Sequence, residues 1–171
     1  EADATESAAQ AALDAGADII ELGVPFSDPL ADGATIQRSS AHALQAGVHL
    51  DTCLETARSI RAKNPSVPIL FMGYYNPILT YGVERFVDGC ADAGLDGLIV
   101  ADLPPEESGP FKRLCEEHGM YLTPLLAPTS TDQRIERACK GANGFIYCVS
   151  VTGITGARTE LASGLSGLVG R

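Results

Sequence analysis

Short apolar runs alternate with longer stretches of helical periodicity along this chain. The runs from Ile19 to Val24, Pro68 to Met72, Gly97 to Val100, Tyr121 to Leu126 and Gly144 to Val149 read as buried strands. Between them, Val83, Phe86, Val87 and Cys90 recur at the i, i+3, i+4, i+7 spacing of a helix packed on a sheet, and Phe111, Leu114, Cys115 and His118 repeat it. Leu50, Leu54, Ala57 and Ile60 follow the same rule. The order is a repeated βα unit, which predicts the α/β class with a parallel sheet. Gly16, Gly94 and Gly119 fall where helices stop. Pro104 and Pro105 ahead of Glu106 and Glu107 predict a first helical turn, and Thr129, Ser130 and Thr131 supply capping hydroxyls for the next helix. Periodicity leaves a doubly wound sheet and a βα-barrel both open.

At 171 residues, 45% of them apolar, the chain can bury one sizeable core, and residues 1–171 read as a single domain. The net charge of −10 with scattered Lys and Arg argues against nucleic acid or an acidic membrane as partner, since either calls for a basic stripe. A small molecule or another protein fits better. The five cysteines (Cys53, Cys90, Cys115, Cys139, Cys148) form no CxxC pair; four fall in helical segments, mostly on apolar faces. They read as reduced core thiols, which points to a cytoplasmic protein. No signal peptide and no apolar run of about 18 residues is present. The chain starts at Glu1, without Met, in what reads as a loop before a helix, as a fragment would.

The segment from Glu21 to Gly33, ELGVPFSDPLADG, carries the chemistry. Read as the end of a strand running through Ala17 to Ile20, it places Glu21 at a carboxyl end, where α/β sheets and βα-barrels keep their reactive groups, and places Asp32 in the turn-rich loop beyond. Burial raises a Glu pKa and suits it to proton transfer. Taken alone, Asp32-Gly33 is an ordinary turn and Ser27-Asp28-Pro29 an ordinary Asx turn. Their spacing behind Glu21 is what makes the segment specific.

This segment closely resembles the signature of the tryptophan synthase alpha subunit family. FMGYYNPI (Phe71 to Ile78), GLIVADLPPEE (Gly97 to Glu107), LLAP (Leu125 to Pro128) and YCVSVTGITGAR (Tyr147 to Arg158) continue the likeness in the family's order. The resemblance selects a TIM (β/α)8 barrel, here incomplete and covering about strands 2 to 6. The family's first strand and its last two, whose loops help hold phosphate, have no counterpart in the chain. Ala34 stands where family members commonly have Pro.

What the resemblance implies is retro-aldol cleavage of indole-3-glycerol phosphate to indole and glyceraldehyde 3-phosphate, without cofactor or metal. Glu21 is then the proton carrier, and Asp32 accepts a hydrogen bond from the indole N–H. Met72, Ala101 and Tyr147 line the indole pocket, with the Tyr147 hydroxyl near Glu21. Thr155 binds Asp32 when a lid spanning Val151 to Gly164 closes, and the Gly156 N–H meets the phosphate. Asp102 positions its loop. Pro25, Asp28, Tyr75, Asn76 and Pro104 face the beta subunit of an alpha2beta2 heterotetramer, in an aromatic, polar loop formed by Tyr74 to Pro77 and its surroundings.

Two other aldolase designs find no support in the residues. A Schiff-base enzyme needs a strand-end lysine, whereas Lys63, Lys112 and Lys140 fall in or just after helical patterns. A metal-dependent one needs clustered ligands, whereas His42, His49 and His118 are isolated. The loop at Gly153 to Gly156 lacks the Gly-Lys-Ser/Thr of a nucleotide P-loop. Two rivals to the alpha-subunit reading stay open: a stand-alone lyase that releases free indole, and an inactive interaction fragment.

Overall fold

The computed structural model describes residues 2–149 and 165–170. Helix α1 (Ala2–Asp14) precedes strand β1 (Ile20–Gly23), and two helices, α2 (Ala34–Gln45) and α3 (Leu50–Lys63), lead to β2 (Ile69–Gly73). The short α4 (Tyr75–Tyr81) and then α5 (Val83–Asp92) come before β3 (Gly97–Val100), and α6 (Gly109–Glu117) before β4 (Tyr121–Leu122). Strand β5 (Leu125–Leu126), α7 (Asp132–Gly141), β6 (Tyr147–Cys148) and α8 (Leu165–Val169) complete the described elements. None of the helices is long and apolar enough to cross a membrane.

Strands β1, β2, β3 and β4 lie side by side in chain order, every pair parallel, and β5 pairs parallel with β6. A doubly wound sheet reverses its strand order at a switch point. Strictly sequential order is that of a barrel wall, so topology separates the two folds that periodicity left open.

Paired residues share a face of a sheet, and alternate residues change face. Ile20, Leu22, Ile69, Phe71, Leu98 and Val100 point to the helices and join one core with Leu54, Ala57, Ile60, Phe86, Val87, Cys90 and Cys115. Phe71 and Phe86 stack in it with ring centroids 6.5 Å apart. The other face carries Glu21, Leu70, Gly97 and Tyr121 in one register row and Gly23, Met72 and Ile99 in the next. Gly97 is required there, because a Cβ would come within 2.8 Å of the Tyr121 carbonyl oxygen.

Several expected boundaries move. The run from Tyr121 to Leu126 is two strands rather than one: Thr123 still donates to Leu98, but Pro124 has no N–H to offer a ladder, and the chain changes partner to β6 beyond it. The final strand shrinks from Gly144–Val149 to Tyr147–Cys148. Ala17 to Ile19 lie ahead of β1 rather than in it, and Ile19 is exposed. Helix α1 is formed from Ala2, and Glu1, expected in a loop before a helix, lies outside the described residues. Pro104 to Glu107 form a turn, and α6 begins only at Gly109, after Ser108, with Pro110 near its start. Tyr75 to Pro77, expected in a loop, form the first turn of α4.

The stops behave as expected: Gly16, Gly94 and Gly119 have φ of 98°, 76° and 73°, a backbone region that glycine enters freely. Thr131 caps α7 by accepting the Arg134 N–H. His118 leaves the predicted apolar stripe. It is the exposed C-cap of α6, its Nδ1 2.8 Å from the Leu114 oxygen and its Nε2 2.9 Å from Asp88, while Met120 fills the core instead. Cys90 and Cys115 are core thiols, whereas Cys139 is exposed, so not every cysteine follows the apolar-face expectation. Desolvation pushes the Cys115 thiol up to about 12 and Cys90 higher still.

At the N-terminal end of the strands, Arg61 ties three segments together. Its guanidinium donates to the carbonyls of Gly94 (2.8 Å) and Val67 (2.7 Å) and pairs with Asp96, whose carboxylate accepts the Ile69 N–H at 2.8 Å. That end of the sheet is thereby committed to holding the fold, which leaves the carboxyl end for chemistry.

Candidate active site

Glu21 is the second of the four residues of β1, one position inside the strand rather than at its end. The strand alternates buried and exposed positions, so Ile20 and Leu22 anchor it in the core while Glu21 is turned to the opposite face. The residue stays exposed, not buried as expected, yet partial desolvation of its carboxyl raises the pKa above the ordinary carboxylate value. A carboxyl that holds its proton more tightly is better matched to donating one near neutral pH.

The chain then runs into the loop that carries Asp32. Val24 extends the strand by donating to the Met72 carbonyl at 2.8 Å, and Asp32 donates its N–H to the Pro29 carbonyl at 3.0 Å. Tyr74, directly after β2, holds this loop. Its hydroxyl oxygen accepts the Ala31 N–H at 3.0 Å and its O–H donates to the Asp32 carboxylate, while its ring meets Phe26 at 5.4 Å between centroids. Burial, reinforced by the negative Asp32 and Asp102, pushes the Tyr74 phenol up to about 12, so it remains a donor at any physiological pH. Sequence reasoning placed Tyr74 in the partner-facing loop and missed this bond. Its signal was present all the same, since a Tyr immediately after a buried strand occupies the end of the sheet where Asp32 was sought.

Tyr147 reaches the same place from β6. It is half-buried, and its phenol is raised first by desolvation and then by the charges of Glu21 and Asp32. The coupling brings residues 126 positions apart in sequence into one electrostatic site. Met72 and Ala101 are half-buried, and the Ala101 N–H donates to the Gly73 carbonyl at 2.9 Å, carrying the β2–β3 ladder to its carboxyl end. Asp102 accepts the Tyr75 N–H at 2.7 Å, which satisfies an orphan donor at the start of α4.

Of the residues expected to face a partner, Asp28 and Asn76 are exposed, and Pro25 and Pro104 half-buried. Asp28 accepts the Ser27 hydroxyl at 2.5 Å. The Tyr75 ring is engaged within the chain, edge-on to Phe111 at 5.4 Å. Thr155 and Gly156, and with them the whole expected lid, lie outside the described residues. Ala34 opens α2 after Gly33, which provides no side-chain cap. Among the described residues, no three His, Cys, Asp or Glu side chains gather as metal ligands.

The whole chain, residues 1–171, matches the family described as "Tryptophan synthase alpha chain". It is 56% identical to the tryptophan synthase alpha chain of Roseiflexus sp. (strain RS-1) over 92% of its length and 60% of that relative. With the tryptophan synthase alpha chain of Roseiflexus castenholzii it shares 54% identity over its full length and 66% of the relative. A solved structure of Mycobacterium tuberculosis tryptophan synthase superimposes with TM-score 0.88 at 39% identity, covering 98% of this chain and 63% of that one. The Pyrococcus furiosus tryptophan synthase a2b2 complex superimposes with TM-score 0.80 at 38% identity, covering 86% and 61%. The chain thus spans about three fifths of the length of the relatives it matches.

Proposed function

The chain belongs to the tryptophan synthase alpha chain family, and from that premise we propose that it carries the acid–base centre of a lyase that cleaves indole-3-glycerol phosphate to indole and glyceraldehyde 3-phosphate. The observation that supports this most is the convergence of Glu21, Asp32, Tyr74 and Tyr147 at one end of the sheet, read from their mutual effects on ionisation. Cleavage needs a proton delivered to C3 of the indole ring and a proton removed from the adjacent glycerol hydroxyl. Glu21, with its raised pKa, exchanges those protons. Asp32, fixed by the Tyr74 hydroxyl, accepts the indole N–H and stabilises the positive charge that develops on the ring.

Met72, Ala101 and Tyr147 form the walls of the indole pocket in this reading, with Asp102 holding the loop beside it. Thr155 and Gly156, outside the described residues, are the candidates for contact with Asp32 and with phosphate. The described site residues supply acid, base and hydrogen-bond groups, so no metal or cofactor enters the scheme. Pro25, Asp28, Asn76 and Pro104 form the surface offered to a beta subunit, and Tyr75 stiffens it from behind.

The test is indole release from indole-3-glycerol phosphate by a full-length protein carrying this sequence, measured with and without a beta subunit. Weak activity that the beta subunit stimulates is the expected result. Full activity alone, unchanged by the partner, identifies a stand-alone lyase. No indole release in either condition overturns the proposal.

A further inference from the structure

Helix α2 stands off the molecule. Although it carries Ile36, Ala43 and Leu44, none of its residues is buried, and Ile36 remains 49% exposed. Between it, α3 and the helix-facing side of β1 and β2 lies a cavity of about 360 Å³. Leu22 and Phe71 form its floor, Ile36 and Ala43 its roof, Cys53 a wall and Pro25 a lip. The hydroxyl-bearing residues Thr5, Ser39, Ser40, Thr52 and Thr56 also line it, and no charged side chain does.

We propose that this cavity is a binding site for a small, uncharged, mostly apolar molecule with one or two hydrogen-bonding groups. A dry cavity of about 150 Å³ accommodates benzene, so more than twice that volume takes a fused bicyclic ring. The absence of any charge in the lining excludes anionic and cationic ligands, whose desolvation nothing there offsets. Apolar walls with a few hydroxyls are the usual make-up of a small-molecule site. The cavity is separate from the candidate active site: its floor residues Leu22 and Phe71 face the helices, whereas Glu21 and Met72, their neighbours in sequence, face the other way. Gly23 and Pro25 line it and also begin the loop that ends at Asp32, so a bound ligand would touch the segment that positions that carboxylate.

Cys53 provides the assay. Its thiol lies in the cavity wall, half-buried and raised to about 11 by desolvation, while Cys139 on α7 is exposed and remote in sequence. The chain is labelled with methyl methanethiosulfonate at mildly alkaline pH, with and without indole as a neutral bicyclic probe, and labelling at each cysteine is followed by peptide mass. Indole at ten times its dissociation constant is expected to slow Cys53 labelling about tenfold and to leave Cys139 unchanged. The variants Ala43→Phe and Ser40→Phe fill the cavity from a helix with no buried residue, so neither disturbs the core, and both are expected to abolish the protection. Absence of protection at saturating indole, or equal protection in both filled variants, overturns the proposal. Labelling needs no turnover, so the outcome is independent of whether the lyase reading holds.

Discussion

The two faces of the β1–β4 sheet are built from alternate residues of the same strands, and along β1 they behave in opposite ways. Toward the helices, Ile69, Phe71, Leu98, Phe86, Val87 and Cys90 are almost wholly buried, in a layer where each large side chain contributes about 1.5–3 kcal/mol by leaving water. On the other face, Leu70 and Ile99 are buried as well, while Glu21 and Tyr121 remain exposed and Met72 half-exposed. A step of one residue along β1 passes from a position that holds the fold to the one proposed to exchange protons. The contrast teaches that stability and chemistry are separable here at single-residue resolution, and that substitutions on the two faces should fail in different ways.

The largest effect is expected at Glu21. In a full-length protein carrying this sequence, Glu21→Gln should lower indole release by about 10²–10⁴-fold, the contribution of a general acid–base group, with substrate binding and melting temperature little changed. Turnover above about a tenth of the parent would remove Glu21 from the mechanism. On the opposite face, Phe86→Ala should cost about 3–5 kcal/mol of unfolding free energy, seen by urea denaturation, because the Phe71 stack and the contact with Tyr81 are lost together. A loss below about 1 kcal/mol would mean that this layer does not carry the core.

Tyr74→Phe tests the boundary between the two behaviours, since its ring is buried and its hydroxyl serves Asp32. Stability should fall by about 1 kcal/mol, from the unsatisfied Ala31 N–H, and turnover should fall several-fold with KM less affected. Unchanged kinetics would show that the Tyr74–Asp32 bond positions nothing. Asp102→Ala, which removes the acceptor of the Tyr75 N–H, should cost about 0.5–1 kcal/mol in thermal melts, and Asp102→Asn should restore most of it.

The smallest effect is a pH dependence. Because the folded-state pKa of Glu21 is raised, the folded form binds its proton more tightly than the unfolded chain does, and that contribution is lost as pH rises through the folded pKa. Glu21→Gln should therefore melt slightly higher than the parent at neutral pH. The difference should vanish below about pH 4, where the carboxyl is protonated in both states. A variant that melts lower than the parent at neutral pH would show that the Glu21 charge stabilises the fold.

Sequence alone was enough for the βα order, the helix stops at Gly16, Gly94 and Gly119 and the cap at Thr131, and it singled out Glu21 and Asp32 as the proposed chemical centre. Each of these depends on local features: periodicity, backbone freedom, a capping hydroxyl, and a motif of short span. What only tertiary structure decided involves contacts distant along the chain. Where periodicity left the barrel wall and the doubly wound sheet both open and only the family resemblance selected the barrel, sequential strand order separates them physically, since hydrophobic spacing says which face is apolar and not which strand lies alongside. Pro124 was visible in the sequence, yet its consequence, a strand divided between β3 and β6, depended on which neighbours were waiting for its hydrogen bonds. Tyr74 came to Asp32 only when β2 folded beside β1, and the nearness of Tyr147 to Glu21, which residue spacing leaves unmarked and only the family resemblance implied, depends on where β6 falls in the fold, because the charge that shifts a phenol acts through space.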